Sequence, residues 1–176
     1  IEYHVFGNNL QYPLDDWIIL NYSSGKWMHI QAYVEVNSDG RGKVKLWELT
    51  TSGVIQRMNA SGSWNNGNPF RTISFNAMGR KTPNCYPYFD DVYVAIGDNA
   101  LARIEIGNNP VYENCTKLTK ATPDSWTTSS ITAKVRQGAF SSSENAYLFV
   151  IDSTRNASPG YPIQFNSAGS VGNGDS

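Results

Sequence analysis

The clearest pattern in the chain is a strict alternation from Trp27 to Val36. Met28, Ile30, Ala32, Val34 and Val36 point one way, and Trp27, His29, Gln31, Tyr33 and Glu35 the other. A period of two places successive side chains on opposite faces of a strand, so this stretch predicts one core face and one polar–aromatic face. Asn37-Ser38-Asp39-Gly40-Arg41-Gly42 reads as a hairpin turn, since its residues tolerate positive φ. It leads into Lys43–Leu49, with Val44 and Leu46 on the core side and Lys45 and Trp47 opposite. A second turn at Thr51-Ser52-Gly53 introduces a strand over Val54–Met58, and a loop rich in Gly, Asn and Ser follows from Asn59 to Pro69. Phe70–Asn76 resumes alternation through Ile73 and Phe75. Earlier in the chain, Glu2–Phe6 predicts a short strand and Trp17–Leu20 is a brief apolar run.

Tyr88–Gly97 is β-branched and aromatic, of strand length, and closed by the turn signal Gly97-Asp98-Asn99. Both of its faces are mostly apolar, which predicts a central strand covered on both sides. Asp90 and Asp91 within it require partners, because a buried lone charge is costly. They read first as a hydrogen-bonded structural corner and second as a pair of cation ligands. Beyond Asn99 short strands are expected at Ala102–Ile106, Ile131–Val135, Ala146–Ile151 and Tyr161–Phe165, separated by Gly, Pro and Asn. No segment sustains a 3.6-residue period, so no helix is expected.

Composition supports this pattern. Charged residues are only 16% of the 176, aromatics reach 12%, and turn-forming residues abound. That profile fits a secreted, extracellular or cell-surface β-protein better than a helical bundle. A net charge of −1 supplies no electrostatic footprint for nucleic acid or an anionic membrane. No apolar run approaches the roughly 20 residues of a membrane span. Ile1 reads as the start of a mature or excised chain. Cys85 and Cys115 are expected to form one disulfide, both lying in polar, turn-like contexts. Asn21, Asn59, Asn114 and Asn156 head Asn-x-Ser/Thr triplets that permit N-glycosylation.

Trp27–Val36, the turn to Gly42, Val44–Trp47 and Tyr88–Ala95 together resemble the second half of a concanavalin A-like lectin or glucanase jelly roll. The later segment is similar to an Ig-like module of secreted surface or polysaccharide-active proteins. The resemblance implies an all-β fold: an antiparallel jelly-roll-like sandwich over residues 1–98, a smaller Ig-like β-sandwich over 99–166, and a Gly/Ser-rich tail over 167–176. A complete jelly roll of this kind needs more chain before residue 17 than is present. The expectation is either a fragment or a sandwich completed by a neighbouring subunit.

The polar–aromatic face is the best candidate for chemistry. Trp27, His29, Gln31, Tyr33, Glu35 and Trp47 offer rings for stacking on sugars, with amides and a carboxylate for their hydroxyls. Catalysis is not expected. His29-Ile30-Gln31 reverses the order found in alginate lyases, and Asp90 and Asp91 lie on opposite faces, so they cannot flank one glycosidic bond. No cofactor is implied beyond a structural Ca²⁺ that Asp90 or Asp91 would bind with backbone carbonyls. The function expected is therefore a non-catalytic β-sandwich protein with a carbohydrate-binding or cell-surface role. Its partner would be a polysaccharide or glycan, or neighbouring copies of itself. The alternatives are a structural subunit of an extracellular filament or lattice assembled by strand exchange, and a fragment of a polysaccharide lyase.

Overall fold

The computed structural model describes residues 2–6, 15–19, 26–63, 88–165 and 171–172, the first two stretches and the last as backbone only. Apart from one 3₁₀ turn at Tyr112–Asn114, every regular element among them is a β-strand. The chain divides into two compact units. The first comprises Ile1–Glu48 and Gln56–Val94, the second Leu49–Ile55 and Ala95–Ser176.

In the first unit, β1 (Glu2–Phe6) pairs antiparallel with β2 (Asp15–Ile19), with Tyr3 opposite Ile18 and Val5 opposite Asp16. A separate three-stranded sheet runs β3 (His29–Val36), β4 (Arg41–Thr50) and β5 (Gly53–Ser63) in that order. The β3–β4 connection closes as expected. Gly40 adopts φ +80°, its N–H donates to the Asn37 carbonyl at 3.0 Å, and the Asn37 N–H donates to Arg41 O at 2.7 Å. Only glycine takes that φ without cost. The alternation of β3 and β4 then holds in part: Ala32 and Val34, expected in the core, are exposed, while Gln31 and Tyr33 on the other face are half-buried. Val44, Leu46 and Met58 form a buried cluster, with Met28, Ile30, Val36 and Ala60 packed on it. β5 continues five residues past the expected end at Met58, into what reads in sequence as a loop.

The second unit is built on a sheet ordered β11–β10–β9–β6–β7–β8. Its strands are β6 (Arg103–Gly107), β7 (Leu118–Trp126), β8 (Ile131–Val135), β9 (Ala146–Ile151), β10 (Tyr161–Phe165) and β11 (Val171–Gly172). Strand β6 lies at the centre and all five of its residues are buried. It pairs antiparallel with β7 (Ile104 opposite Ala121) and with β9 (Ile106 opposite Leu148). That register sorts the core into two layers. Ile106, Ala146, Ile163 and Phe165 pack with Phe140 on one face. Phe149 and Ile151 pack with Tyr112 and Cys115 on the other, where Val54 and Leu118 also contribute. A sheet covered on both faces explains why β9 is a nearly continuous apolar run rather than an alternating one.

Three expectations are corrected. Tyr88–Ile96 belongs to no sheet; it is irregular and solvent-exposed, with Ile96 90% accessible. Asp91 sits at φ +49°, outside the extended region, so the chain bends where the strand was expected to continue. Strand β7 lies where no strand is expected, and the tail supplies β11, paired with β10 through Phe165 and Val171. Finally, Cys115 is a free, fully buried thiol instead of half of a disulfide; Cys85 lies outside the described residues. Its Sγ donates to the carbonyls of Asn109 (3.4 Å) and Val111 (3.6 Å), and Gly107 leaves room for it. Phe70–Asn76 and Asn21 also lie outside the described residues.

Candidate functional site

The polar–aromatic face forms on β3. The side chains of His29, Gln31, Tyr33 and Glu35 are all half-buried. Two-residue steps along a strand set them about 7 Å apart, a strip of roughly 20 Å. The strip is fixed by hydrogen bonds along its length. The Gln31 amide Nε2 lies 3.4 Å from His29 Nε2, positioned to donate to it in the tautomer that leaves that nitrogen bare. The Tyr33 hydroxyl donates to Glu35 Oε2 at 3.0 Å, and Lys43 Nζ of the neighbouring strand donates to Glu35 Oε1 at 3.2 Å. The tyrosine hydrogen bond, followed by that of Lys43, holds the Glu35 carboxyl below its ordinary range. Glu35 therefore stays an anion, with both oxygens already engaged.

Trp27, two residues before β3, exposes 71% of its surface. Trp47 does not join it. The residue is 6% exposed, so its ring is part of the buried structure and not a stacking platform. Three successive residues of β4, Leu46 to Glu48, are buried, which interrupts the alternation that put Trp47 on the open face. Glu48 is held there by Arg57, whose Nε lies 2.7 Å from Glu48 Oε2.

Asp90 and Asp91 are exposed, and Asp90 Oδ1 accepts the Asp91 backbone N–H at 2.8 Å, a local corner. Among the described residues no group of three His, Cys, Asp or Glu side chains converges to hold a metal ion. Of the glycosylation triplets, Asn59, Asn114 and Asn156 are exposed. The Asn156 amide is committed to its own loop, donating to Asp152 Oδ2 at 3.1 Å and Thr154 Oγ1 at 2.7 Å.

A polar cluster in the second unit escaped sequence reasoning. Arg103 and Glu105 share one face of β6, and Arg103 Nε lies 3.2 Å from Glu105 Oε1. The Tyr112 hydroxyl donates to Glu105 Oε2 and accepts from Arg103 NH2 at 3.1 Å. Arg103 NH1 donates to the Leu101 carbonyl at 2.8 Å. The Tyr112 ring meets Phe149 edge-on, centroids 5.5 Å apart, and the Arg155 guanidinium lies over it at 5.7 Å. Arg155 takes φ +74° in a loop tied by Asp152 Oδ1, which accepts the N–H groups of Thr154 and Asn156 at 2.8 Å each. Burial alone would raise the Glu105 carboxyl. The Arg103 charge and the Tyr112 hydrogen bond outweigh it and leave the group below its usual range. Arg103 likewise loses through burial, yet its pairing with Glu105 raises it on balance. With Glu105 fully buried the cluster offers no approach to a ligand. It anchors the Asn108–Lys117 connection to the sheet. The signal for it was available, since an Arg and a Glu two apart on a strand must share a face.

Comparison with protein-family models, curated proteins and solved structures found no match to this chain.

Proposed function

We propose that this chain is a non-catalytic β-sandwich protein that binds carbohydrate at an extracellular or cell surface. The observation carrying this reading is the β3 strip of His29, Gln31, Tyr33 and Glu35, with the exposed Trp27 two residues before it in the chain. Sugars present apolar C–H faces together with hydroxyls that both donate and accept. An open ring answers the first, and a row of amide, imidazole, phenol and carboxylate answers the second. The groups are already oriented by the Tyr33–Glu35 and Lys43–Glu35 hydrogen bonds, so little side-chain freedom is lost when a glycan docks.

The same geometry argues against turnover. Glu35 is the one carboxylate of the strip, and its charge is locked by Tyr33 and Lys43, which suits a hydrogen-bond acceptor rather than a general acid. The test is affinity electrophoresis and calorimetry against soluble polysaccharides of differing backbone. Wild-type protein is expected to be retarded by one class, with Trp27→Ala weakening binding at least tenfold and Gln31→Ala by less. Equal retention of wild type and Trp27→Ala on every polysaccharide would remove the strip as the binding surface.

A further inference from the structure

We propose that the β7–β8 hairpin of the second unit carries a further carbohydrate contact, with Trp126 as the stacking platform for a neutral sugar ring. The ladder between β6 and β7 ends with Ile104 opposite Ala121. Beyond it β7 and β8 run on paired with each other, from Thr122 opposite Lys134 to Trp126 opposite Ile131. Residues paired across two strands share a face, as do alternate residues along one strand. Val135, opposite Ala121, packs on the layer of Ile106 and Phe140. Ala133 and Ile131 follow it on that side, with Pro123 and Trp126 as their partners on β7. An unbroken strand would place Ser125 there instead. The irregularity between Pro123 and Ser125 inserts Asp124 and hands the place to Trp126, the re-aiming of a side chain that a bulge accomplishes.

The apolar row runs outward from the core: Pro123, Ala133 and Ile131 are half-buried, and Trp126 is 41% exposed. Its surroundings are rich in hydroxyls and uncharged. Six of the nine residues from Ser125 to Ala133 are Ser or Thr, and none of the nine carries a charge. Thr127 fixes the tip. Its Oγ1 donates to the Ser130 carbonyl at 2.9 Å and accepts the Ser130 N–H at 3.0 Å, while its N–H donates to the same carbonyl at 2.9 Å. Thr128 and Ser129 are exposed, and their hydroxyls take no part in these bonds. A turn set in advance loses little freedom when a ligand docks. The size of the surface selects the occupant. One indole with three half-buried neighbours falls far short of the roughly 20–30 residues a side of a stable protein interface. It matches a single sugar ring, whose C–H face lies on an aromatic while its hydroxyls reach Ser and Thr. The adjacent cation, Lys134, points to the opposite face and is paired with Asp124 at 3.4 Å. With no cation beside the ring to pair a uronate or sulfate, the glycan is a neutral one. The inference takes its class of ligand from the proposed carbohydrate-binding role and does not depend on the β3 strip.

The test is fluorine NMR of the intact chain labelled with fluorotryptophan, which gives each of the five tryptophans its own resonance. Trp126→Phe and Trp27→Phe assign the two signals to be followed. The probes are soluble xylan, galactomannan and mixed-linkage glucan, with alginate as the anionic comparison. A neutral polysaccharide is expected to shift the Trp126 signal, and Trp126→Ala to weaken binding of that polymer by about tenfold. Trp126→Tyr, which keeps a ring at the same place, is expected to retain most of the binding. The Trp27 signal reports the β3 strip separately. Movement at Trp126 alone would uphold this inference and remove the strip. Movement at Trp27 alone would uphold the strip and overturn this inference, and stillness at both would overturn both. A Trp126 signal that moves with protein concentration in the absence of sugar would make a second copy the occupant. One that answers alginate as strongly as the neutral polymers would be unselective contact. Either result overturns the inference.

Discussion

Replacing Glu105 by Gln tests whether the buried cluster on β6 is an ion pair holding the second unit together. The change preserves shape and removes one charge, leaving Arg103 cationic where it is 6% exposed. At the 3.2 Å separation of Arg103 Nε and Glu105 Oε1, an effective dielectric constant of about 20 makes the attraction on the order of 5 kcal/mol. Breaking a buried pair from one side costs about 3–5 kcal/mol in comparable cases, because the remaining charge stays desolvated. Replacing both partners with apolar residues, Arg103→Met with Glu105→Leu, is expected to cost far less than the single change, since no charge is then stranded. The assay is hydrogen exchange read by mass spectrometry over β6, β7 and β9, which reports the second unit by itself. The expected result is loss of protection in the single variant equivalent to about 3 kcal/mol or more, largely restored in the double. A single variant within about 1 kcal/mol of wild type would refute a buried ionic anchor.

The same group gives a pH signature. Its folded-state pKa lies below the ordinary value of 4.5. Its contribution is therefore complete above that value and is lost as pH falls from there through the lower folded-state pKa. Wild-type stability is expected to decline below about pH 4.5, and Glu105→Gln to remove part of that slope. Identical acid slopes in the two proteins would assign the loss to other carboxylates.

Other consequences follow from close approaches. Gly53 turns at φ +113°, and a Cβ there would lie 2.1 Å from the Glu113 carbonyl oxygen, so Gly53→Ala is expected to cost about 3 kcal/mol or more in urea denaturation. A Cβ on Gly107 would sit 2.3 Å from Cys115 Sγ, so Gly107→Ala should destabilise by about 1–3 kcal/mol. Adding Cys115→Ala should recover part of that loss, since neighbours sharing one space are not additive. The Cys115 thiol is fully buried, and burial pushes its pKa up. A thiol reagent is therefore expected to label Cys115 in native protein only at the rate of opening, and within seconds in denaturant, with mass spectrometry separating it from Cys85.

How much was legible follows from how each strand is covered. β4 buries Val44 and Leu46, and Met28, Ile30 and Val36 pack on them, so period two is legible there, although Ala32 and Val34 of the same row are exposed. β9 and β10 were found because Phe149, Ile151, Ile163 and Phe165 are large and fully or nearly buried. β7 was not, because its inward residues, Thr119 and Ala121, are small or polar and Pro123 reads as a breaker. Pro123 is tolerated at the irregularity, where the ladder is already interrupted. The anchor was hidden for a different reason. Arg103 and Glu105 resemble an ordinary solvated face until Tyr112, seven residues on, folds back across them. On the candidate site, alternation located the strip but could not foresee the burial of Trp47, which depends on the packing around β4.

Tyr88–Ile96 shows where such reasoning stops. A run of β-branched and aromatic residues states that the segment gains free energy from being covered. At roughly 25 cal/mol per Å², burial of several large side chains amounts to many kcal/mol. The pattern does not state which surface does the covering. β3 and β4 find theirs within the chain, through a four-residue turn that brings the partner beside them at small entropic cost. Tyr88–Ile96 lies outside every strand among the described residues, and Asp91 takes φ +49°, away from the extended form. The same hydrophobic signal thus serves two ends. With a short connection to a complementary strand it specifies the fold. Without one in a described sheet, as at Tyr88–Ile96, it leaves the segment irregular.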